Sequence, residues 1–178
     1  MKTMKTILAV LAFSLLAVGS YAQDAPKADV SVGYSYLHLN SSDGSSSANL
    51  NGFDGSAAFN LNSWFGVVGD FGVYHGSPSG VSVTATSYTF GPRISIRATK
   101  KLVPFFETLF GGSHFSASFS GASGTVNPFA FGFGGGADLS IIHSNRIALR
   151  PQVDYFGFRA NGDTENSERV SISLVFNF

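Results

Sequence analysis

The chain contains no cysteine, so neither a disulfide framework nor thiolate chemistry is available to it. Beyond residue 22 it has no run of ~20 consecutive apolar residues, which excludes a membrane-spanning helix from the body of the protein. Any membrane residence there must use strands, the other structure that satisfies its backbone in lipid. Charge is scarce, at 12% Asp, Glu, Lys and Arg, and the formal net charge is zero. Without a basic excess there is no footprint for nucleic acid. A Gly-x-Ser-x-Gly elbow and a His-x-x-x-His spacing are also missing, so neither an esterase nucleophile nor a zinc site is signalled. What the chain does have is 18 Phe and 21 Gly. A water-soluble domain that exposed so many aromatics would associate, whereas a surface facing lipid requires them.

The amino-terminal residues carry an address. Lys2 and Lys5 precede an apolar stretch from Ile7 to Val18, and Ser20-Tyr21-Ala22 has the small-x-small form of a cleavage site. Residues 1–22 therefore read as a cleaved secretory signal peptide, with an uncleaved anchor as the minor reading because the apolar stretch is short and no stop-transfer run follows it. Residues 23–178 remain, about 156 residues, a length suited to one domain. Removing Lys2 and Lys5 leaves nine basic against eleven acidic residues.

The carboxyl-terminal ten residues alternate almost strictly. Val170, Ile172, Leu174, Phe176 and Phe178 fall on one side at the period of two, with Arg169, Ser171, Ser173 and Asn177 on the other. Ten tilted residues match the reach of a strand across a hydrocarbon core. The same pattern recurs between turn signals and predicts eight strands, near 29–39, 50–61, 64–75, 83–97, 102–115, 127–140, 146–158 and 168–178. Their connections alternate. Those at 62–63, 98–101 and 141–145 are short, while those at 40–49, 76–82, 116–126 and 159–167 are rich in Ser, Gly and Asn and mostly longer. The predicted fold is all-β, an eight-stranded antiparallel up-and-down transmembrane β-barrel with both chain ends on the short-turn side. Closure removes the unpaired edges that lipid cannot solvate. Pro92, Pro104 and Pro151 interrupt the ladders and are placed at strand starts or bulges.

Parity assigns the two faces. Val32, Tyr34, Tyr36, Phe53, Phe59, Phe65, Val67, Phe71, Tyr88, Phe90, Ile94, Phe106, Phe110, Phe129, Phe131, Phe133, Ile147, Leu149 and Tyr155 point to lipid. The opposite parity puts Asp54, Asp70, Arg93, Arg97, Glu107, Asp138, Arg150, Gln152 and Asp154 in the lumen, with Arg169 as a further candidate. Eight strands leave an interior just wide enough for side chains to fill, so these charges are expected to neutralise one another as an ion-paired plug.

Several local signatures in this order resemble a known group. They are Gly52-Phe53-Asp54-Gly55-Ser56 with Asn60-Leu61-Asn62-Ser63-Trp64-Phe65-Gly66, Gly91-Pro92-Arg93, Pro104-Phe105 with Gly111-Gly112, Gly134-Gly135-Gly136-Ala137-Asp138, and the terminal Phe178. The chain resembles the OmpA-type small outer-membrane β-barrel proteins over almost its whole mature length, and the barrel-only OmpX type in having no peptidoglycan-binding domain after the barrel. The resemblance implies an integral protein of the bacterial outer membrane, without cofactor. It also implies periplasmic chaperones and the outer-membrane insertion machinery as partners, with Phe176 and Phe178 as the assembly signal. No single activity follows from it.

The role expected is structural or at the surface, for a monomer whose interior is plugged. A narrow pore for ions or small solutes is the alternative, and adhesion through the outer loops a further one. An enzyme is not expected. His38, His75 and His114 lie near the outer strand ends, but their parity points them outward beside an aromatic belt, and His143 sits in a short turn on the other side. Gly132-Phe133-Gly134-Gly135-Gly136 lacks the Lys-Ser/Thr of a phosphate loop and sits inside a strand, where glycine relieves crowding.

Overall fold

The computed structural model describes residues 25–40, 47–119, 122–141, 146–160 and 162–178. The signal-peptide segment 1–22, most of the first outer loop and the turn holding His143 lie outside the described residues. The rest is one continuous antiparallel sheet. Its strands are β1 (Ala28–Asn40), β2 (Ser47–Asn60), β3 (Phe65–Gly76), β4 (Ser82–Ser95), β5 (Leu102–Phe119), β6 (Ala122–Val126), β7 (Phe129–Ser140), β8 (Ile147–Ala160) and β9 (Asp163–Asn177). Each wall strand pairs with its sequence neighbours, and β1 with β9 completes the circle. Lys27 N–H donates to Phe178 O at 2.8 Å and Phe178 N–H donates to Ala28 O at 2.9 Å, which ties the two chain ends together on the short-turn side. The barrel wall is eight strands, because β6 and β7 together form the sixth, broken at Asn127-Pro128.

Two connections read as loops are instead strand. β5 continues to Phe119 and pairs with β6 from Phe115 opposite Val126 to Phe119 opposite Ala122, so 116–126 is a hairpin. β9 starts at Asp163, and Ala160 opposite Asp163 closes a two-residue turn in which Gly162 takes the left-handed φ of +97°. Both segments are dominated by small and polar residues, so period-two hydropathy had little to report there.

The prolines also differ from expectation. Pro92 and Pro151 sit inside β4 and β8 without a bulge, since Phe90 opposite Phe110 and Arg93 opposite Glu107 keep one register, as do Leu149 opposite Leu139 and Gln152 opposite Gly136. Each proline opens the ladder to one neighbour only. Pro92 stays paired with Val67 of β3, and Pro151 with Ile172 of β9.

The faces follow parity. Every side chain assigned to lipid is exposed or half-buried, with Phe53 and Phe90 70% and 68% exposed. In a barrel the apolar core is thus turned inside out, and the buried side chains are the lumen set.

Candidate functional site

Two layers of charge fill the lumen. In the layer nearer the short turns, Arg93 Nε donates to Glu107 Oε2 at 2.7 Å, and Arg93 Nη1 to Asp29 Oδ1 at 3.2 Å. Arg150 Nη2 reaches the same Asp29 oxygen at 3.0 Å, and its Nε and Nη2 fork onto Asp138 at 2.6 and 2.9 Å. The ring of Phe105 stacks against both guanidiniums, 4.7 Å from Arg93 and 4.8 Å from Arg150. Arg93 lies directly opposite Glu107 on the neighbouring strand, so that pair is set by register alone. Asp29 is brought to both arginines from across the barrel.

The second layer is centred on Arg169, which is fully buried. Its Nε donates to Asp154 Oδ2 at 2.8 Å, its Nη1 to Asp70 Oδ1 at 2.7 Å and to Tyr74 Oη at 3.3 Å, and it lies over the Phe156 ring. Gln152 joins the layers by donating Nε2 to Glu107 Oε1 and to Asp154 Oδ1, both at 2.9 Å. Gly134 makes room for this. A Cβ there would stand 1.9 Å from Asp154 Oδ1, so only glycine lets the carboxylate lie against β7.

The structure treats the expected lumen set unevenly. Asp70, Arg93, Glu107, Asp138, Arg150 and Asp154 are all brought into ion pairs. Asp54 points inward but forms none, and its buried Oδ1 has no hydrogen-bond partner among the described residues. It sits one ladder step from Asp70, beyond the reach that Arg169 spends on Asp70 and Asp154. Arg97 is a correction, because it lies past the end of β4 and bonds to neutral groups, Ser63 O at 3.0 Å and Asn60 Oδ1 at 3.2 Å. Sequence reasoning missed Asp29, although it shares the parity of Ser31 and Ser35, which was signal enough. Among the described lumen residues, six carboxylates (Asp29, Asp54, Asp70, Glu107, Asp138, Asp154) face three guanidiniums (Arg93, Arg150, Arg169).

Above the charges, toward the outer end, the lumen turns apolar. Leu37, Leu50, Tyr74 and Ala85 form one buried cluster, Leu109, Ala130, Phe156 and Phe158 belong to another, and Leu39 and Phe115 pack against both. Phe115 meets Phe158 edge to face at 5.1 Å. This outer plug was not anticipated, because Leu37 and Phe115 sit where alternation weakens near the membrane surface.

The described histidines stay out of the lumen. His38 and His114 each share a 2.6 Å hydrogen bond from Nδ1 to a cross-strand asparagine, Asn49 and Asn127, and His75 Nδ1 shares one with Thr84 Oγ1 at 3.0 Å. Phe176 is paired with Val30 and Ile147 on the lipid side, and Phe178 is 73% exposed at the rim.

Solved structures share this architecture. The Yersinia pestis attachment invasion locus protein Ail aligns at a TM-score of 0.65 and 18% identity, covering 86% of this chain and 99% of that one, and has also been solved with the heparin analogue sucrose octasulfate. Neisserial surface protein A aligns at 0.72 and 15% identity, over 88% of this chain and 100% of that one. The amino-terminal β-barrel domain of Pseudomonas aeruginosa OprF aligns at 0.59 and 14%, over 86% and 100%. At these identities the likeness is one of fold. No curated protein matches the chain. Residues 8–178 match the family described as the outer membrane protein beta-barrel domain, and with its closed eight-stranded wall and aromatic outer face the chain belongs to that family and is an integral protein of the bacterial outer membrane.

Proposed function

We propose that this protein is a structural, surface-exposing barrel with a sealed interior, non-catalytic and monomeric in the lipids of the outer membrane. The observation that carries the reading is the stacking of two different seals. The guanidiniums of Arg93, Arg150 and Arg169 are each tied to at least two carboxylates, and the outer end above them is closed by Leu37, Leu39, Leu50, Phe115, Phe156 and Phe158. A permeating ion would have to break buried pairs and then cross an apolar stretch, and both steps are costly. This argues against the narrow-pore alternative.

Refolded protein in a planar bilayer is therefore expected to be electrically silent while heat-modifiable gel mobility certifies that it is folded. Discrete openings altered by Arg93→Ala or Arg150→Ala would replace the sealed barrel with a gated pore.

Ail has been solved with a heparin analogue, but that chemistry transfers poorly. The described outer hairpin of β8 and β9 carries Asp163, Glu165 and Glu168 against Arg159, which repels a sulfated polyanion. What the outer hairpins contribute is surface rather than stability. Removing 119–122 from the tip of the β5–β6 hairpin should leave the barrel folded and its unfolding temperature nearly unchanged, since Phe119 and Ala122 pair only with each other, whereas Ala117 and Ser118 also pair with β4. Failure of the shortened chain to insert would overturn that view. For assembly, the exposed Phe178 and lipid-facing Phe176 suit recognition by the insertion machinery, with periplasmic chaperones covering the aromatic face beforehand.

A further inference from the structure

The short-turn end of the barrel, which faces the periplasm, carries five cations that the lumen network does not use: Lys27, Arg97, Lys100, Lys101 and Arg146. None of them forms an ion pair among the described residues. The nearby carboxylates are committed elsewhere, Asp29 to Arg93 and Arg150, and Asp138 to Arg150. Three of the cations, Arg97, Lys100 and Arg146, line a cavity of about 750 Å³ in the barrel mouth together with Val103 and with Asp138, whose carboxylate is forked by Arg150. That volume is in the range of small-molecule sites.

Arg97 is held in place rather than neutralised. Its Nε and Nη2 donate to Ser63 O and Asn60 Oδ1, and Asn60 Nδ2 donates in turn to Pro26 O at 2.9 Å. Neutral acceptors orient the guanidinium and leave it without a direct ion-pair partner among the described residues, an arrangement that can take a carboxylate or phosphate. Beyond the mouth, an anion meets six carboxylates against three guanidiniums and then the apolar outer plug. It would be held at the entrance and go no further.

We propose that the periplasmic mouth is a binding site for a small phosphate-bearing anion with a compact apolar group, gripped by Arg97, Lys100 and Arg146 with the apolar part against Val103. The same chemistry could be supplied by a free periplasmic solute or by the headgroup of an acidic phospholipid from the inner leaflet.

The test is calorimetric titration of phenyl phosphate into the folded barrel in nanodiscs of phosphatidylcholine alone. Saturable, salt-weakened binding is expected, reduced at least about tenfold in the Lys100→Gln/Arg146→Gln double variant, whose exposed side chains carry no fold-determining contacts. Arg97→Gln, checked for folding by heat-modifiable mobility, should reduce it similarly. Repeating the titration with phosphatidylglycerol in the disc separates the sources: competition assigns the site to a lipid headgroup, and unchanged affinity to a free solute. Absence of saturable heat, or equal affinity in the double variant, would overturn the proposal. The sealed-lumen reading is judged by conductance, so the two can fail separately.

Discussion

Arg169→Ala is expected to destabilise the folded barrel by about 3–5 kcal/mol, the cost of stranding buried charge. Arg169 is the fully buried cation between Asp70 and Asp154, and no other guanidinium reaches either carboxylate. Without it, Asp54, Asp70 and Asp154 share one part of the lumen with only Tyr74 and Gln152 as polar neighbours that bond within the cluster. Packing against Phe156 goes too. The effect is read as a fall in the unfolding midpoint in urea, followed by heat-modifiable mobility. Asp54→Asn is the contrasting control. It removes a carboxylate that has no ion pair, so it should be neutral or mildly stabilising. Equal midpoints for wild type and Arg169→Ala would show that the buried ion pairs of the lumen do not hold the barrel together.

Gly91→Ala should be as damaging for an unrelated reason. A Cβ at this position would fall 1.8 Å from the carbonyl oxygen of Thr108 and 2.9 Å from its carbonyl carbon, both backbone atoms of β5. No rotamer change relieves a clash with backbone, so β4 and β5 must separate where Pro92 has already opened the ladder. Overpacking a well-filled site costs typically about 1–3 kcal/mol and more where backbone must move, and we expect the upper end or failed assembly. Gly69→Ala tests the specificity of the argument. It lies on the same sheet with nothing within 4 Å of its Cβ, and should fold normally. A Gly91→Ala barrel with wild-type yield and midpoint would show that the strands part more easily than this packing implies.

How much of this was written in the chain varies from one region to the next. Strands bathed in lipid announce themselves, because each must present apolar groups outward and small or polar groups inward. Val170, Ile172, Leu174 and Phe176 against Arg169, Ser171 and Ser173 is the clearest case, and the lipid faces assigned by parity agree with exposure throughout. Where the strands rise into water, that demand disappears, and the β5–β6 hairpin and the start of β9 looked like loops. Inward parity correctly places Asp54 in the lumen but cannot say whether a partner stands within reach, and among the described residues its Oδ1 has none. Arg97 has the parity of Arg93, yet it lies four residues further on and two past the end of β4, which carries it to the turn at Ser63.

Sequence alone determined the architecture, the facing of the wall and the membrane in which it sits, because period two, strand length and alternating connections are local properties imposed by lipid. The tertiary structure decided which charges meet. Asp29 with Arg93 and Arg150, or Asp70 with Arg169, are contacts between strands that never touch along the sheet. They depend on the height each residue reaches once strand tilt and register are set by closure, and on which bulky side chains, here Phe105 and Phe156, fill the space between them.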